Sequence, residues 1–474
     1  MKKARKHVHF VGITGSGIAG VARAAHLRGF KVTGCSIQRE SPYSKQLEDV
    51  GIIPMLGHNR KHLEDVDIVA TTPATLYRKK YKKIPELVMA KKKKILMKWQ
   101  TFWGEYICKG KESIAVSGTH GKTTSTALLS EVLERAKMDP TVFIGGIDKN
   151  WNASTRVGKS DWYVMEADEY DYNFIDYHPK YVLLNNIEME HPEIFKDFKV
   201  YKKAFKMFLS TIRTGGKLVF NLDNEPVFEL VKKMNKALRK KKIKLIGFST
   251  ENNCVPWIQK CYQASDLQYD HGISFSRAKK TYHLNLLGTH NISNALGVLA
   301  MATEVGVKEK TIEEAFESFK GSARRLDPIL ELPTISVYND YAHHHTQVRV
   351  SIDALRKVNK TGTVIAILEP HQVSRLTNNT QEYTDALRQA DDFFIMEIYK
   401  GREEDMELPD VPGIIKKYSP DKGAYIPDYG QLLKHLEDTV MNAKEPITVL
   451  VMGAGNSHHL AYMVADRLLR LKTQ

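Results

Sequence analysis

The chain has 474 residues and a formal net charge of +15, and its length predicts about three domains that each bury a core. Its four cysteines show neither the CxxC spacing of a zinc site nor the density of a disulfide scaffold. The basic N-terminus turns apolar, but that apolar stretch is too short for a secretory signal, and no later stretch is long enough to span a membrane. Composition therefore excludes a disulfide-rich secreted protein and a membrane protein, and it predicts a cytoplasmic one.

Basic residues form runs at 78–83, 91–94 and 239–244. Apart from Tyr81 these runs lack interleaved aromatic side chains, and the sequence contains no recognisable nucleic-acid module. We interpret the runs as solvated faces that modestly steer an anionic substrate. We expect no specific nucleic-acid partner and no membrane partner, and either a monomer or a homodimer.

The first predicted elements are a strand at 7–13, a glycine turn, a helix at 18–28 and a second strand at 31–35. The turn carries a G-x-G-x-x-G pattern formed by Gly15, Gly17 and Gly20. In a nicotinamide-binding fold the second strand ends near an acidic residue that holds the ribose. This strand ends at Cys35 and Ser36, so the turn suits another diphosphate, such as that of a UDP-sugar, better than NAD.

A further strand at 67–72 ends in two threonines, Thr71 and Thr72. Their hydroxyls are candidates to contact the same ligand, although a strand that simply ends in a Thr-Pro turn has the same sequence. We predict that residues 1–110 form a Rossmann-like domain that binds a UDP-sugar.

The stretch at 114–126, IAVSGTHGKTTST, predicts a strand, a glycine loop and a helix in the order of a phosphate-binding loop. Gly118 and Gly121 allow backbone N–H groups to surround phosphate oxygens, Lys122 adds a positive charge, and the Thr123 hydroxyl can bind Mg²⁺. The match is imperfect because Val116 stands where the usual pattern has a glycine.

Carboxylates follow the next predicted strand, at 162–165. They are Glu166, Asp168, Glu169 and Asp171. A carboxylate beside a phosphate loop is where a further Mg²⁺ ligand is expected, although an exposed acidic loop would look the same. A later strand, at 181–186, leads to His191, which lies where ligands bind in parallel sheets.

Residues 251–285 are predicted to be irregular, with short alternating pieces such as 273–275. A glycine and polar residues at 288–291 then lead into a helix at 293–303, where they either contact a nucleotide or cap the helix. Strands and helices alternate again after Arg324 and Arg325. We therefore predict an α/β protein with a central ATP-binding parallel sheet at 111–323 and a C-terminal Rossmann-like domain at 324–474.

Seven motifs distributed over nearly the whole chain resemble the Mur ligases. They are GTHGKTT, EADEYD, NNIEMEH, GTHN followed by Asn294, the pair of arginines, DYAHH and PHxxSR. The resemblance implies an ATP-dependent, Mg²⁺-dependent ligase of peptidoglycan precursor synthesis. It implies that ATP converts the carboxylate of UDP-N-acetylmuramate to an acyl phosphate, which the amine of L-alanine then attacks.

The resemblance also implies a role for individual residues. The implied catalytic residues are Lys122, His191, Arg325 and His343. The implied ATP-binding residues are Gly118, Thr119, His120, Gly121, Lys122, Thr123, Thr124, His290, Asn291, Arg325 and Asp340. The implied substrate-binding residues are Gly15, Gly17, Gly20, Thr71, Thr72, His343, His371 and Arg375. The implied metal ligands are Thr123, Glu166 and His191.

The sequence departs from the family pattern at Thr14, where a glycine is usual, and at Glu190, where Asp is usual. Gln372 replaces an arginine and HHHTQ replaces HHPTE, so the identity of the added amino acid is the prediction that these departures affect most. Three other enzymes remain open: a ligase that recycles a whole tripeptide onto UDP-N-acetylmuramate, a folylpolyglutamate synthase, and a nucleic-acid-stimulated ATPase with salt-sensitive binding. A non-catalytic nucleotide-binding regulator is a further alternative.

Overall fold

The computed structural model describes residues 5–41, 43–77, 83–192, 194–269, 272–401, 403 and 405–473. The chain folds into two compact units. The first unit comprises Met1–Leu267, Phe275–Leu284 and Ile292–Ser322, and the second comprises Gln268–Ser274, Asn285–Asn291 and Ala323–Gln474. Strands and helices alternate in both units, as expected for an α/β protein.

The first unit begins with a five-stranded sheet in the order β3-β2-β1-β4-β5. Its strands are β1 (His7–Val11), β2 (Lys31–Ser36), β3 (Met55–Leu56), β4 (Ile68–Thr71) and β5 (Leu96–Lys98). Its helices are α1 (Ser16–Leu27), α2 (Lys45–Glu48), α3 (Pro73–Tyr77), α4 (Pro85–Lys92) and α5 (Trp99–Phe102). All neighbouring strands are parallel. Because β1 lies between β2 and β4, its carboxyl end is the point where the strand order reverses, where such sheets bind ligands.

The same unit contains an eight-stranded sheet in the order β13-β12-β11-β10-β6-β9-β7-β8. Its strands are β6 (Glu112–Ser117), β7 (Thr141–Asp148), β8 (Ala153–Arg156), β9 (Trp162–Ala167), β10 (Tyr181–Leu184), β11 (Lys217–Asn221), β12 (Lys244–Ser249) and β13 (Lys260–Gln263). The helices along this part of the chain are α6 (Lys122–Arg135), α7 (Phe198–Ser210), α8 (Glu225–Lys240), α9 (His290–Glu304) and α10 (Glu309–Ser318). Since β6 lies between β9 and β10, the loop after β6 also lies at a reversal of strand order.

A separate three-stranded sheet is formed by β14 (Ser265–Tyr269), β15 (Ile273–Arg277) and β16 (Lys280–Leu284). The sequence prediction that 251–285 is irregular was therefore wrong. These strands are short and lack the long apolar runs of the buried parallel strands, which is why they were missed. Cys254 and Cys261 form a disulfide with Cα atoms 5.9 Å apart, which the cysteine spacing did not predict.

The second unit contains a six-stranded sheet in the order β17-β18-β22-β19-β20-β21. Its strands are β17 (Asp327–Glu331), β18 (Ile335–Asp340), β19 (Thr363–Glu369), β20 (Asp392–Ile395), β21 (Ala424–Tyr425) and β22 (Ile447–Gly453). Its helices are α11 (His345–Val358), α12 (Val373–Asn378), α13 (Thr380–Leu387), α14 (Val411–Tyr418), α15 (Tyr429–Met441) and α16 (Ser457–Thr473). All its strand pairs are parallel except β17 with β18. Separate apolar clusters cover the two faces of the sheet, as in a doubly wound domain.

Candidate active site

The loop between β6 and α6 turns on two glycines with positive φ, Gly118 at 144° and Gly121 at 77°. A Cβ on Gly118 would lie 3.0 Å from the backbone nitrogen of Asn186, and one on Gly121 would lie 2.3 Å from Asn294 Oδ1. Both positions therefore require glycine for conformation and for space. The helix α6 starts immediately after the loop, so its free N–H groups and its positive end lie beside the loop.

Lys122, the first residue of α6, folds back over this loop. Its Nζ donates to the carbonyl oxygens of Gly118 at 2.7 Å and Thr119 at 3.1 Å, and to Glu169 Oε2 at 2.9 Å. Burial by itself would lower the pKa of Lys122, but the Glu169 and Asp168 carboxylates outweigh burial and raise the pKa above its ordinary value. The loop therefore holds a permanent positive charge beside backbone N–H groups, as phosphate binding requires.

Glu169 is the carboxylate that holds Lys122, and its side chain is completely buried. Its second oxygen accepts a 2.8 Å hydrogen bond from the Tyr201 hydroxyl, which also lies 3.0 Å from Thr119 Oγ1. Sequence reasoning grouped Glu169 with its acidic neighbours and gave it no separate role. The signal that identifies it is strand register: Ser117 pairs with Ala167 across β6 and β9, so the residues just after Ala167 lie beside the phosphate loop.

Asp168, Glu169 and His191 form a group whose potential metal-binding atoms all lie within 4.8 Å of one another. His191 has a positive φ of 56° and packs edge-to-face against Tyr170, with ring centroids 5.0 Å apart. Glu166, the predicted metal ligand at the end of β9, accepts a 2.7 Å hydrogen bond from the Gly145 N–H. Glu166 is not a member of that group, whose two carboxylates and imidazole form a donor set for a divalent cation.

The other predicted ATP-binding residues of the first unit lie in the loop or at the start of α6. The His120 N–H donates to Asn186 Oδ1 at 2.7 Å, and its ring Nε2 lies 2.8 Å from Glu188 Oε2. Thr119 Oγ1 donates to the Glu188 carbonyl at 3.0 Å. Thr123 and Thr124 are largely buried in the first turn of α6. Residues 186–188, which follow β10, therefore hold Thr119 and His120 of the loop in place.

The N-terminal glycine turn is built differently. Gly15 precedes α1, whereas Gly17 and Gly20 lie inside the helix. A Cβ on Gly17 would lie 2.8 Å from the Trp99 ring, and one on Gly20 would lie 2.4 Å from Thr155 Oγ1. Thr14, which stands in place of the usual glycine, forms a 2.7 Å hydrogen bond with the Ser36 hydroxyl at the end of β2.

Thr71 and Thr72 lie at the carboxyl end of β4, next to this turn, because Val11 of β1 pairs with Thr71. Thr71 is fully buried, and its hydroxyl donates to the Val11 carbonyl at 3.1 Å. The Thr72 hydroxyl instead lies 2.8 Å from the Thr75 hydroxyl and is partly exposed. Of the two hydroxyls, that of Thr72 is the more accessible to a ligand.

In the second unit, Arg324 and Arg325 both place their guanidinium groups over the Tyr341 ring, at 4.7 and 5.2 Å from its centroid. The carboxylate of Asp340, at the end of β18, accepts 2.7 Å hydrogen bonds from the N–H groups of Leu326 and Ala342. Burial raises the pKa of the Asp340 carboxyl, and the charge of Arg325 opposes that rise. These two predicted ATP-binding residues therefore interact electrostatically.

The predicted substrate-binding histidines of the second unit also come together. The rings of His343 and His371 meet edge-to-face with centroids 5.7 Å apart, and the His371 ring stacks on Tyr399. Arg375 lies on the following helix α12 and is buried. His290 and Asn291 lie at the start of α9, where the Asn291 side chain donates to the Leu287 carbonyl at 2.7 Å.

Comparison with known proteins agrees with these features. Residues 116–302 match the family model described as Mur ligase middle domain, and residues 7–99 match the model described as Mur ligase family, catalytic domain. A Clostridium botulinum protein named UDP-N-acetylmuramate–L-alanine ligase is 31% identical over 473 residues, which cover 98% of each chain. The chain belongs to the Mur ligase family. The expected resemblance is confirmed, and Mur ligases are ATP-dependent ligases.

Solved structures share the fold. A UDP-N-acetylmuramate–alanine ligase from Thermotoga maritima has a TM-score of 0.78 at 24% identity, covering 98% of this chain and 99% of its own. A murein peptide ligase from Psychrobacter arcticus has a TM-score of 0.68 at 24% identity, covering 98% of both chains. The predicted α/β fold with three domains is confirmed. Two of these domains, with the five-stranded and the eight-stranded sheet, belong to the first compact unit, and the predicted domain boundaries stay predictions.

Two further expectations concern membranes and the basic runs. None of the helices among the described residues combines the length and the hydrophobicity that a transmembrane segment requires. The lysines of the run at 91–94 are exposed, and those of the run at 239–244 are mostly exposed. Of the run at 78–83, residues 78–82 lie outside the described residues. The described basic runs are thus solvated, as the sequence analysis interpreted them.

Proposed function

We propose that the protein is an ATP-dependent ligase that joins L-alanine to the muramate carboxylate of UDP-N-acetylmuramate in peptidoglycan precursor synthesis. The observation that carries the proposal is the position of Lys122, charged and held by Glu169 at the mouth of a glycine loop. The names of the relatives that align over nearly the full chain supply the identity of the two substrates.

The proposed chemistry requires activation because a carboxylate is a poor electrophile. An oxygen of the muramate carboxylate attacks the γ-phosphorus of ATP, the bond to ADP breaks, and an acyl phosphate forms. The amine of L-alanine then attacks the acyl carbon, inorganic phosphate leaves, and the nitrogen loses a proton as the amide forms. Lys122 neutralises charge on the transferred phosphoryl group, and the N–H groups of the loop and of α6 orient it.

Mg²⁺ would supply further charge neutralisation between nucleotide phosphates and protein oxygens. We propose Thr123 and Glu166 as ligands of one ion and His191 as a ligand of another. Asp168 and Glu169 lie close enough to His191 to complete that second group of ligands. A carboxylate and hydroxyl donor set matches the preference of this hard cation for oxygen.

The remaining assignments are proposals of the same kind. Residues 1–110 hold the UDP part of the substrate through the turn at Gly15 and through Thr71 and Thr72, with Gly17 and Gly20 as further substrate-binding positions. Residues 111–323 bind ATP through the residues of the glycine loop and α6. We propose that residues 324–474 act as the amino-acid-binding domain. The protein acts in the cytoplasm as a monomer or homodimer, without a nucleic-acid partner.

In the second unit, His343, His371 and Arg375 bind the amino acid or the muramate carboxylate. His290, Asn291, Arg325 and Asp340 are proposed to contribute to ATP binding. Lys122, His191, Arg325 and His343 form the proposed catalytic set.

The proposal is tested by measuring phosphate release from ATP and Mg²⁺ in the presence of UDP-N-acetylmuramate. The acceptor panel contains L-alanine, glycine, L-serine and the tripeptide of the recycling ligase, and mass spectrometry identifies the product. We expect release that requires both UDP-N-acetylmuramate and L-alanine, with the mass of the L-alanyl adduct as product. Lys122→Ala should abolish this release.

Each other outcome redirects the assignment. If the tripeptide is the one acceptor that supports release, the protein is the recycling ligase, whose corresponding motif EADEYD resembles. Phosphate release with DNA or RNA and without UDP-N-acetylmuramate would identify the nucleic-acid-stimulated ATPase. ATP binding without release for any acceptor would contradict the ligase proposal.

A further inference from the structure

A buried group of metal-binding side chains lies in the N-terminal sheet, apart from the phosphate loop. It consists of His9 on β1, Cys35 on β2, His62 in the 3-10 helix Arg60–Leu63, and Glu86 in the first turn of α4. One potential ligand atom from each residue lies within 4.8 Å of the corresponding atoms of the other three. We call these four residues the N-terminal His-Cys-Glu cluster.

Two of the distances within this cluster match those between ligands of one metal ion, and a third is shorter. His9 Nε2 lies 3.4 Å from Cys35 Sγ, and Cys35 Sγ lies 3.4 Å from Glu86 Oε1. His62 Nδ1 lies 2.8 Å from Glu86 Oε1. Ligands of a tetrahedral zinc ion with ordinary bond lengths are about 3.3–3.6 Å apart. Small side-chain shifts would therefore bring all four atoms to one ion.

The environment of Glu86 is a second, independent observation. The side chain is completely buried. Its Oε1 accepts a 2.7 Å hydrogen bond from the Asn59 N–H, whereas its Oε2 accepts no hydrogen bond from any described residue. Its described ion pairs are made by His58 and His62, and no described Lys or Arg side chain lies within ion-pair distance. Hydrogen bonds to Oε1 stabilise this buried carboxylate, but they leave its Oε2 available, and a bound cation would balance its charge directly.

We propose that the N-terminal His-Cys-Glu cluster binds one Zn²⁺ ion through His9, Cys35, His62 and Glu86. A thiolate, two imidazoles and a carboxylate form a donor set that binds Zn²⁺ in preference to Mg²⁺ or Ca²⁺. The Cys35 thiol releases its proton to solvent when the sulfur binds the ion. His58, whose Nδ1 lies 3.4 Å from Cys35 Sγ, is positioned to hydrogen-bond to the bound thiolate.

The site would act on the glycine turn next to it. The N–H groups of Gly12 and Ile13 donate to the Cys35 carbonyl at 2.8 and 3.1 Å. A metal that fixes Cys35 therefore also fixes the backbone that begins this turn, and it joins β1, β2 and α4 to one another. Such a metal is structural, and its presence does not depend on the ligase activity proposed above.

The test uses untagged full-length protein in saturating Mg²⁺, so that the carboxylates of the ATP site are occupied. Co²⁺ is added as a spectroscopic replacement for Zn²⁺, because a cobalt–thiolate bond gives a charge-transfer absorption that imidazole and carboxylate ligands do not give. We expect this band to appear at one equivalent of Co²⁺ and to disappear when Zn²⁺ displaces the cobalt. A competing chromogenic chelator then measures the zinc affinity.

Cys35→Ser removes the sulfur with little change in volume, and we expect it to abolish the charge-transfer band and to weaken zinc binding at least about tenfold. His9→Ala should weaken binding similarly. The matched control is Cys108→Ser, because Cys108 is the other buried free cysteine and lies outside the cluster. A Cys254→Ser/Cys261→Ser variant tests the remaining sulfurs. Both controls should keep the band.

Thermal unfolding provides a measurement that does not rely on the spectrum. Added Zn²⁺ should raise the melting temperature of the wild type and of Cys108→Ser, and should raise that of Cys35→Ser much less at the same Zn²⁺ concentration. The proposal is overturned if folded wild-type protein shows no charge-transfer band. It is also overturned if Cys35→Ser, shown to be folded by circular dichroism, binds zinc as tightly as the wild type.

Discussion

Two loops of the first unit have the same local plan, a parallel strand followed by glycines and a helix, yet their glycines serve different purposes. In the loop after β6, Gly118 and Gly121 adopt positive φ and approach Asn186 and Asn294. In the turn after β1, Gly17 and Gly20 lie inside α1 and make room for Trp99 and Thr155.

The difference shows that glycine spacing alone does not identify a phosphate site. The loop after β6 also supplies a cation, Lys122, held by a carboxylate from the neighbouring strand end. The turn after β1 supplies no such cation in its first helical turn, and Gly17 and Gly20 also allow α1 to pack closely against α5 and β8. Charge distinguishes the two loops where glycine pattern does not.

The strongest test of this contrast is Lys122→Met, which should lower kcat/KM about 1000-fold, since the charge on the transferred phosphoryl group loses its counter-charge. The substitution also leaves Glu169 buried without its cation, which should lower the free energy of unfolding by about 3–5 kcal/mol. Steady-state kinetics and chemical denaturation measure the two effects. The double variant Lys122→Met/Glu169→Gln should recover stability without activity. Recovery of activity would contradict the assigned role of Lys122.

Gly121→Ala should lower kcat/KM for ATP about 100-fold. The alanine would have to adopt the strained positive φ of this position, and its methyl group would displace Asn294 from the loop. The control is Gly29→Ala, since Gly29 has a φ of 91° and nothing within 4 Å of its missing Cβ. That variant carries similar backbone strain away from the loop and should leave the KM for ATP unchanged. An equal effect of both variants on ATP kinetics would show that backbone strain by itself causes the loss.

Gly20→Ala should lower the free energy of unfolding by about 2 kcal/mol, since its methyl group would overlap the hydroxyls of Thr155 and Ser154. If packing is the main role of this glycine, the KM for UDP-N-acetylmuramate stays within about twofold of the wild type. Thermal melts and kinetics below the melting transition check both values. A large rise in this KM with an intact fold would show that the substrate contacts the helix at Gly20.

The smallest expected effects come from the two threonines beside the N-terminal turn. Thr71→Val removes a buried hydrogen bond to the Val11 carbonyl and should cost about 1 kcal/mol of stability. Thr72→Val should leave stability nearly unchanged and raise the KM for UDP-N-acetylmuramate, since its hydroxyl is partly exposed. The reverse pattern would mean that Thr71 is the substrate contact. Matched kinetics and melts of the two variants decide this.

Much of the fold could be predicted from the sequence because the information is local. Short apolar runs followed by glycine or threonine indicated β1, β4 and β6, and the order of strand, loop and helix placed Lys122 in a loop just before a helix. The strands β14 to β16 were missed, since each has only five residues and their alternating pieces are too short to be distinguished from irregular chain. The family motifs supplied the roles of residues in the second unit, which residue patterns alone left open.

The sequence by itself determined the alternation of strands and helices, the glycine loop with its lysine, and the family. Each of these depends on short motifs of residues that are close together in the chain. Only the tertiary structure decided which carboxylate meets Lys122, since Glu169 reaches it through the parallel register of β6 and β9. It also decided that His9, Cys35 and Glu86 share one buried site, although their spacing matches no metal motif. Such contacts depend on strand order and register, which bring together residues far apart in the chain.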